Sequence, residues 1–100
     1  MIQRFDVGPR MSELAVHNGV AYLAGQVAED ATQGVIGQTR QVLAEIDALL
    51  AKAGTDKTRI LRAQIFLADM GDFTGMNQAW DEWVAAGHTP PRATVQAALA

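Results

Sequence analysis

Among the side chains of this chain that could do chemistry, Arg92 has the most constrained setting: Gly87-His88-Thr89-Pro90-Pro91-Arg92-Ala93-Thr94-Val95-Gln96. Two successive prolines fix φ near about −65° and remove two N–H donors. They also push Thr89 out of the helical region, so a helix upstream must end before it. Ala93 to Leu99 reads as a strand, which puts Arg92 where a rigid turn meets a sheet. A guanidinium held there loses little freedom on binding a planar anion, and its fork matches a carboxylate through two parallel hydrogen bonds. Two plainer roles compete: pairing with an acidic side chain of the same chain, or standing in solvent at a strand end. Residue type alone favours the plainer roles, since most arginines lie at the surface.

Other reactive types are few. The only histidines, His17 and His88, are far apart and lack the spacing of a metal-ligand motif, so no metal site is expected. His88 lies near Arg92 in sequence and titrates near neutrality, so it is a candidate for proton transfer or a plain loop residue. Ser12 is the only serine and no nucleophile motif surrounds it. Gly34-Val35-Ile36-Gly37 has no lysine after it and is not a phosphate loop. Asn77 stands inside an apolar stripe beside Met76 and Trp80. A buried amide needs partners, so it either holds nearby backbone or orients a ligand or water.

The absence of cysteine excludes a disulfide scaffold, a thiolate zinc site and a cysteine nucleophile, and fits a cytoplasmic setting. Eight basic against eleven acidic residues leave a net charge of −3, with no basic cluster to release counterions from a nucleic acid. No apolar run approaches the ~20 residues that span a bilayer, so no membrane partner is expected. One hundred residues, 49% hydrophobic and 19% charged, make one folded domain. The low charge for so small a domain hints that some surface is covered by another copy.

Positioning Arg92 falls to the elements around it. Ile2 to Val7 alternates as a half-exposed strand, broken by Gly8-Pro9. Leu14–His17 and Val20–Gln26 flank Asn18-Gly19, the strongest short hairpin signal, because a type I′ turn needs positive φ at both central residues. Gly25 marks either a close backbone approach or a simple strand end. Residues 27–37 read as a loop. Val42, Leu43, Ile46, Leu49, Leu50 and Ala53 form the stripe of an amphipathic helix, closed by Gly54. Lys57 to Ala68 returns to period two, with Leu61, Ala63, Ile65 and Leu67 on one face. Asp69 or Asp72 can cap a second helix whose stripe is Phe73, Met76, Trp80, Trp83 and Val84, read as core and not as a ligand box. The order predicts an α+β domain: one mostly antiparallel sheet, both helices on a single face, and an open apolar face suited to oligomerisation.

Several pieces occur together in a recognisable order: Gly8-Pro9, Leu23-Ala24-Gly25-Gln26, Gln38-Thr39-Arg40-Gln41-Val42-Leu43, Ala53-Gly54, Phe66-Leu67-Ala68-Asp69-Met70, Phe73, Met76-Asn77 and Pro90-Pro91-Arg92-Ala93-Thr94-Val95. In this the chain resembles the Rid (YjgF) family of reactive-intermediate deaminases over essentially its whole length. The resemblance implies a chorismate-mutase-like α+β fold, a cytoplasmic homotrimer and ligand clefts between subunits. It implies cofactor-free hydrolysis of 2-imino or enamine acids to 2-keto acids and ammonia. The family's carboxylate-gripping arginine falls on Arg92 and its second-helix asparagine on Asn77. By the same resemblance Ala24, Gly25, Thr94 and Arg10 belong to the substrate site. Arg10 stands where members carry an aromatic, Ala24 where they carry Ser, and Thr94 where Cys is frequent. The family continues into one more strand bearing a glutamate that helps place water, so residues 1–100 are expected to form a single domain lacking that strand. The alternative is a non-catalytic member that binds small carboxylates as a sensor or chaperone.

Overall fold

The computed structural model describes residues 1–100. Strands β1 (Gln3–Val7), β2 (Ser12–His17) and β3 (Val20–Leu23) form an antiparallel sheet in the order β1-β2-β3. The β2–β3 hairpin turns at Asn18 and Gly19, whose φ angles of 51° and 76° are those the Asn-Gly pair is chosen for. The β1–β2 connection is a tight turn in which the Gly8 N–H donates to the Met11 carbonyl at 2.8 Å.

Helix α1 (Val35–Lys52) starts ahead of the expected boundary at Gly37. Val35 packs against the core cluster, and that contact outweighs the weak helix propensity of Gly37. Its far end closes as a Schellman motif: Thr55 N–H donates to the Leu50 carbonyl and Gly54 N–H to the Ala51 carbonyl, both at 3.0 Å, with Gly54 at φ 79°. Helix α2 (Phe73–Trp83) lies against α1. At its C-terminus Lys57 donates to the Trp83 carbonyl at 2.5 Å and sits 5.1 Å over the Trp83 ring, a cation where the helix dipole favours one. The Trp83 indole N–H in turn donates to Asp47 on α1 at 2.9 Å, which ties the two helices together.

Strand β4 (Ala63–Leu67) begins six residues later than the alternating pattern suggests. Asp56 explains the delay: its side chain accepts from the Thr58 backbone N–H at 2.9 Å and holds Lys57–Arg59 in a 3₁₀ turn. Leu61, expected to share a strand face with Ala63, Ile65 and Leu67, therefore precedes the strand and is 73% exposed. Of the two candidate caps, Asp69 bonds the Gly71 N–H within a short 3₁₀ turn, and Asp72 takes the N-cap position of α2 without a side-chain bond.

β4 pairs in parallel with β5 (Arg92–Gln96), and α2 is the crossover between them. Ala63, Ile65 and Leu67 pack on the helices around a core of Leu43, Leu67, Met76 and Trp80. The α+β domain is as expected, but its sheet comes in two parts. β3 and β4 make no backbone pairing with each other, and an apolar trough of about 1740 Å³ lies between them. On the uncovered side Tyr22, Phe66 and Val95 are exposed.

Candidate functional site

Arg92 is placed by its two prolines as the sequence implies. The carbonyl of Pro91 accepts from the Ala63 N–H at 3.0 Å, so the strand register is set before Arg92 begins β5. In this parallel pair Arg92 lies opposite Ala63 and Thr94 opposite Ile65, on the side that faces α2. The Arg92 side chain is half-buried. Its guanidinium carbon lies 5.1 Å over the Trp80 ring and 5.9 Å from the centre of Phe73. One terminal nitrogen is 3.9 Å from the Met76 sulfur. The chain's two salt bridges are Arg40–Glu82 and Lys52–Asp6, so no carboxylate pairs with Arg92.

This combination sets aside the two plainer roles within one chain. Arg92 neither pairs internally nor lies free in solvent. Two aromatic faces orient the cation, each such contact contributing about 0.5–2 kcal/mol. Neither supplies the counter-anion that a partly desolvated guanidinium favours. The fork is held and its hydrogen-bonding capacity is left over.

Thr94 supplies a second unfilled valence. Its hydroxyl oxygen is buried and has no hydrogen-bond partner, alone among the buried side-chain polar atoms. Leaving such a group unpaired costs about 1–3 kcal/mol. Arg92 and Thr94 are two residues apart on one strand face, roughly 6.6 Å along it.

Asn77 is half-buried on α2, next to Met76, and its amide has no hydrogen-bond partner in the chain. The other candidates lie elsewhere. Ala24 and Gly25 follow the end of β3. The Ala24 N–H donates to the Glu13 carbonyl at 2.9 Å, and its own carbonyl accepts from the Gln26 amide at 3.1 Å. Gly25 is exposed and has no neighbour within 4 Å of where a Cβ would stand. Its freedom is thus not needed to avoid a contact within the subunit. Arg10 is exposed in the β1–β2 turn and makes no ion pair. Within one subunit, no hydrogen bond or shared cavity links Arg10, Ala24 and Gly25 to Arg92. His88 is exposed, and its charge is felt at Asp56. No three of the His, Asp and Glu side chains cluster as a metal site would require.

The aromatic bed under Arg92 is what sequence reasoning missed. Phe73, Met76 and Trp80 are spaced as one helix face, which reads as core. Met76 and Trp80 are indeed core, yet the same side chains also carry the guanidinium. The spacing gives no sign that β5 brings Arg92 across that face.

Comparison with known proteins gives the family. The family described as Endoribonuclease L-PSP matches residues 1–100. A "RutC family protein" of Haemophilus ducreyi is 57% identical over 100 residues, covering 100% of this chain and 86% of that protein. The Escherichia coli "RutC family protein YoaB" is 50% identical over 98 residues, covering 98% of this chain and 85% of that protein. A crystal structure of a member of the YjgF protein family from Neisseria meningitidis superposes with a TM-score of 0.97 at 49% identity, over 100% of this chain and 83% of that one. With a match along its whole length and the same fold in a close relative, the chain belongs to the Rid/YjgF family.

Proposed function

We propose that this protein hydrolyses small reactive 2-imino or enamine acids to 2-keto acids and ammonia, in the cytoplasm and without a cofactor. The observation that carries this reading is the half-buried Arg92 guanidinium, bedded on Trp80 and Phe73, with no carboxylate of its own. It is a receptor for a small carboxylate. An iminium carbon next to that carboxylate is already electrophilic, so water needs positioning more than strong activation. Water adds to the C=N carbon, the nitrogen takes up a proton, and the C–N bond breaks to release ammonia and leave the keto group. The unpartnered Thr94 hydroxyl and the free amide of Asn77 are the groups available to hold the water or the departing nitrogen.

The same reading makes the working unit a homotrimer with the cleft between subunits. Arg10, Ala24 and Gly25 do not reach Arg92 within one subunit, and exposed Tyr22, Phe66 and Val95 offer an apolar face for assembly. Arg92→Ala should abolish 2-keto acid release from a freshly generated 2-imino acid while solution mass stays at three times 10.7 kDa. Full activity in that variant would remove Arg92 from the site.

One observation favours a second reading, a carboxylate-binding member that does not turn over: no acidic side chain or histidine contacts Arg92. Saturable binding of 2-keto acids with no ammonia released from the imino acid would select it. The family's description names an endoribonuclease, but a net charge of −3 gives RNA no basic surface. Tight RNA binding that collapses with added salt would restore that activity to consideration.

A further inference from the structure

Helix α2 ends on Trp83, three residues after Trp80, so the two indoles fall on the same side of the helix. Their ring centres are 5.4 Å apart and their planes are tilted by 53°, a pairing of the kind that ring quadrupoles favour. Each ring carries a cation. Arg92 lies 5.1 Å over Trp80, and Lys57 lies 5.1 Å over Trp83. Lys57, Trp83, Trp80 and Arg92 thus make one unbroken row of contacts. Local chemistry sets Lys57 at its end of the row. Asp56 holds Lys57–Arg59 in their turn, and the Lys57 ammonium donates to the Trp83 carbonyl at the close of α2.

The two rings are held unequally. Trp83 is tied by its indole N–H, which donates to Asp47 at 2.9 Å, and by Lys57 on its face. Trp80 makes no hydrogen bond through its indole, so its tilt is set by what packs against it. That is the core around Leu43, Leu67 and Met76 on one side and Trp83 on another. The Arg92 guanidinium has no ion pair and takes its orientation from the aromatic faces beneath it. We propose that Lys57 is a positioning residue for Arg92: by pinning Trp83 it fixes the Trp80 ring on which the fork rests. This rests on the reading of Arg92 as a carboxylate receptor and deepens it. A plain capping role for Lys57 would stabilise α2 and leave Arg92 unchanged. A positioning role must show in the fork itself.

The test compares Lys57→Met, which keeps the stem and loses the cation, with Lys57→Arg, which keeps a cation able to donate. The Arg92 Nε–H resonance is read first in the ligand-free chain, where the ring current of the indole beneath displaces it. Lys57→Met should move it toward the position of an unstacked arginine, and Lys57→Arg should bring it back. Arg40→Met breaks the Arg40–Glu82 tie between the same two helices and should leave the resonance in place. Pyruvate, a small 2-keto acid, is then titrated. Its Kd should rise about three- to tenfold in Lys57→Met, the size of one cation–π contact, and return to within about twofold in Lys57→Arg. In the unaltered chain, pyruvate should also shift the Trp83 indole N–H with the same Kd, because coupling is reciprocal. That titration decides if Lys57→Met fails to fold. An Arg92 resonance unmoved by Lys57→Met, moved as far by Arg40→Met, or not restored by Lys57→Arg would overturn the proposal. So would a Trp83 indole that stays still as pyruvate saturates. Failure of the activity reading looks different. Pyruvate would then not bind the unaltered chain, or would bind Arg92→Ala equally well, while the Arg92 resonance still answered to Lys57. In that outcome Lys57 still positions the fork.

Discussion

The guanidinium of Arg92 lies 5.1 Å over the indole of Trp80, and no carboxylate of the chain shares it. A cation with an aromatic floor and no counter-ion can take an external anion without displacing an internal partner first. The planar fork matters as much as the charge. Arg92→Lys keeps the charge but loses both the parallel hydrogen bonds and the flat contact with the ring. We expect KM for an imino acid, or Kd for its keto product, to rise by roughly ten- to a hundredfold, at about 1–3 kcal/mol for a charge-assisted contact. Kinetics over a range of substrate concentration, or calorimetry with the keto acid, reads this directly. An unchanged constant would mean that charge alone suffices and the bidentate geometry is idle.

Thr94 offers a test that separates binding from folding. Its hydroxyl is buried and unbonded in the chain, so Thr94→Val, of nearly the same shape, removes a group that costs the folded state. Thermal stability should hold or rise, by about 1 kcal/mol at most. Turnover should fall if the hydroxyl meets the substrate or its water. A variant that is more stable yet fully active would leave Thr94 outside the chemistry.

Where the sequence was readable, the signal was local. Asn18-Gly19 specified its hairpin and Gly54 its helix end, because positive φ at those residues is a property of the residues themselves. Pro90-Pro91 placed Arg92 at the mouth of β5 for the same kind of reason. The misjudged start of β4 was also local, a competition between strand periodicity and an aspartate turn that the turn won. What was not legible depends on contacts distant in sequence. The aromatic bed of Arg92 and the division of the sheet into two parts both arise from how α2 carries β5 back beside β4.

That aspartate turn makes a pH prediction. The Asp56 carboxyl is held below its ordinary value of 3.8, chiefly by the Thr58 hydroxyl and then by the Thr58 backbone N–H. A depressed folded-state value means that the stabilisation is present above the unfolded value and is lost as pH falls through the lowered one. Acidification should therefore leave the Thr58 amide resonance steady down to about pH 4 and shift it below that. Asp56→Asn should flatten the titration of that amide. A Thr58 amide that did not move below about pH 4 would place the controlling group elsewhere.

Gly75 lies where α2 meets the first turn of α1, and a Cβ built there would stand 2.6 Å from a methyl of Val35 and 3.5 Å from Ile36. Alanine in place of glycine inside a helix ordinarily stabilises by about 1 kcal/mol. Here the methyl group needs space that Val35 occupies, and overpacking of this kind costs about 1–3 kcal/mol. The clash should win, so Gly75→Ala is expected to lower the midpoint of denaturant unfolding despite its better helix propensity. Val35→Ala alone should also destabilise, because Val35 packs on the core cluster. The double variant should be more stable than the sum of the two changes predicts, by about 1 kcal/mol or more for residues in direct contact. Because Gly75 adjoins Met76, whose sulfur touches Arg92, the single variant should also weaken keto-acid binding, and the added Val35→Ala should restore part of it. Strict additivity in stability would show that α2 can shift away from α1 at no cost, and the glycine would then have no packing role.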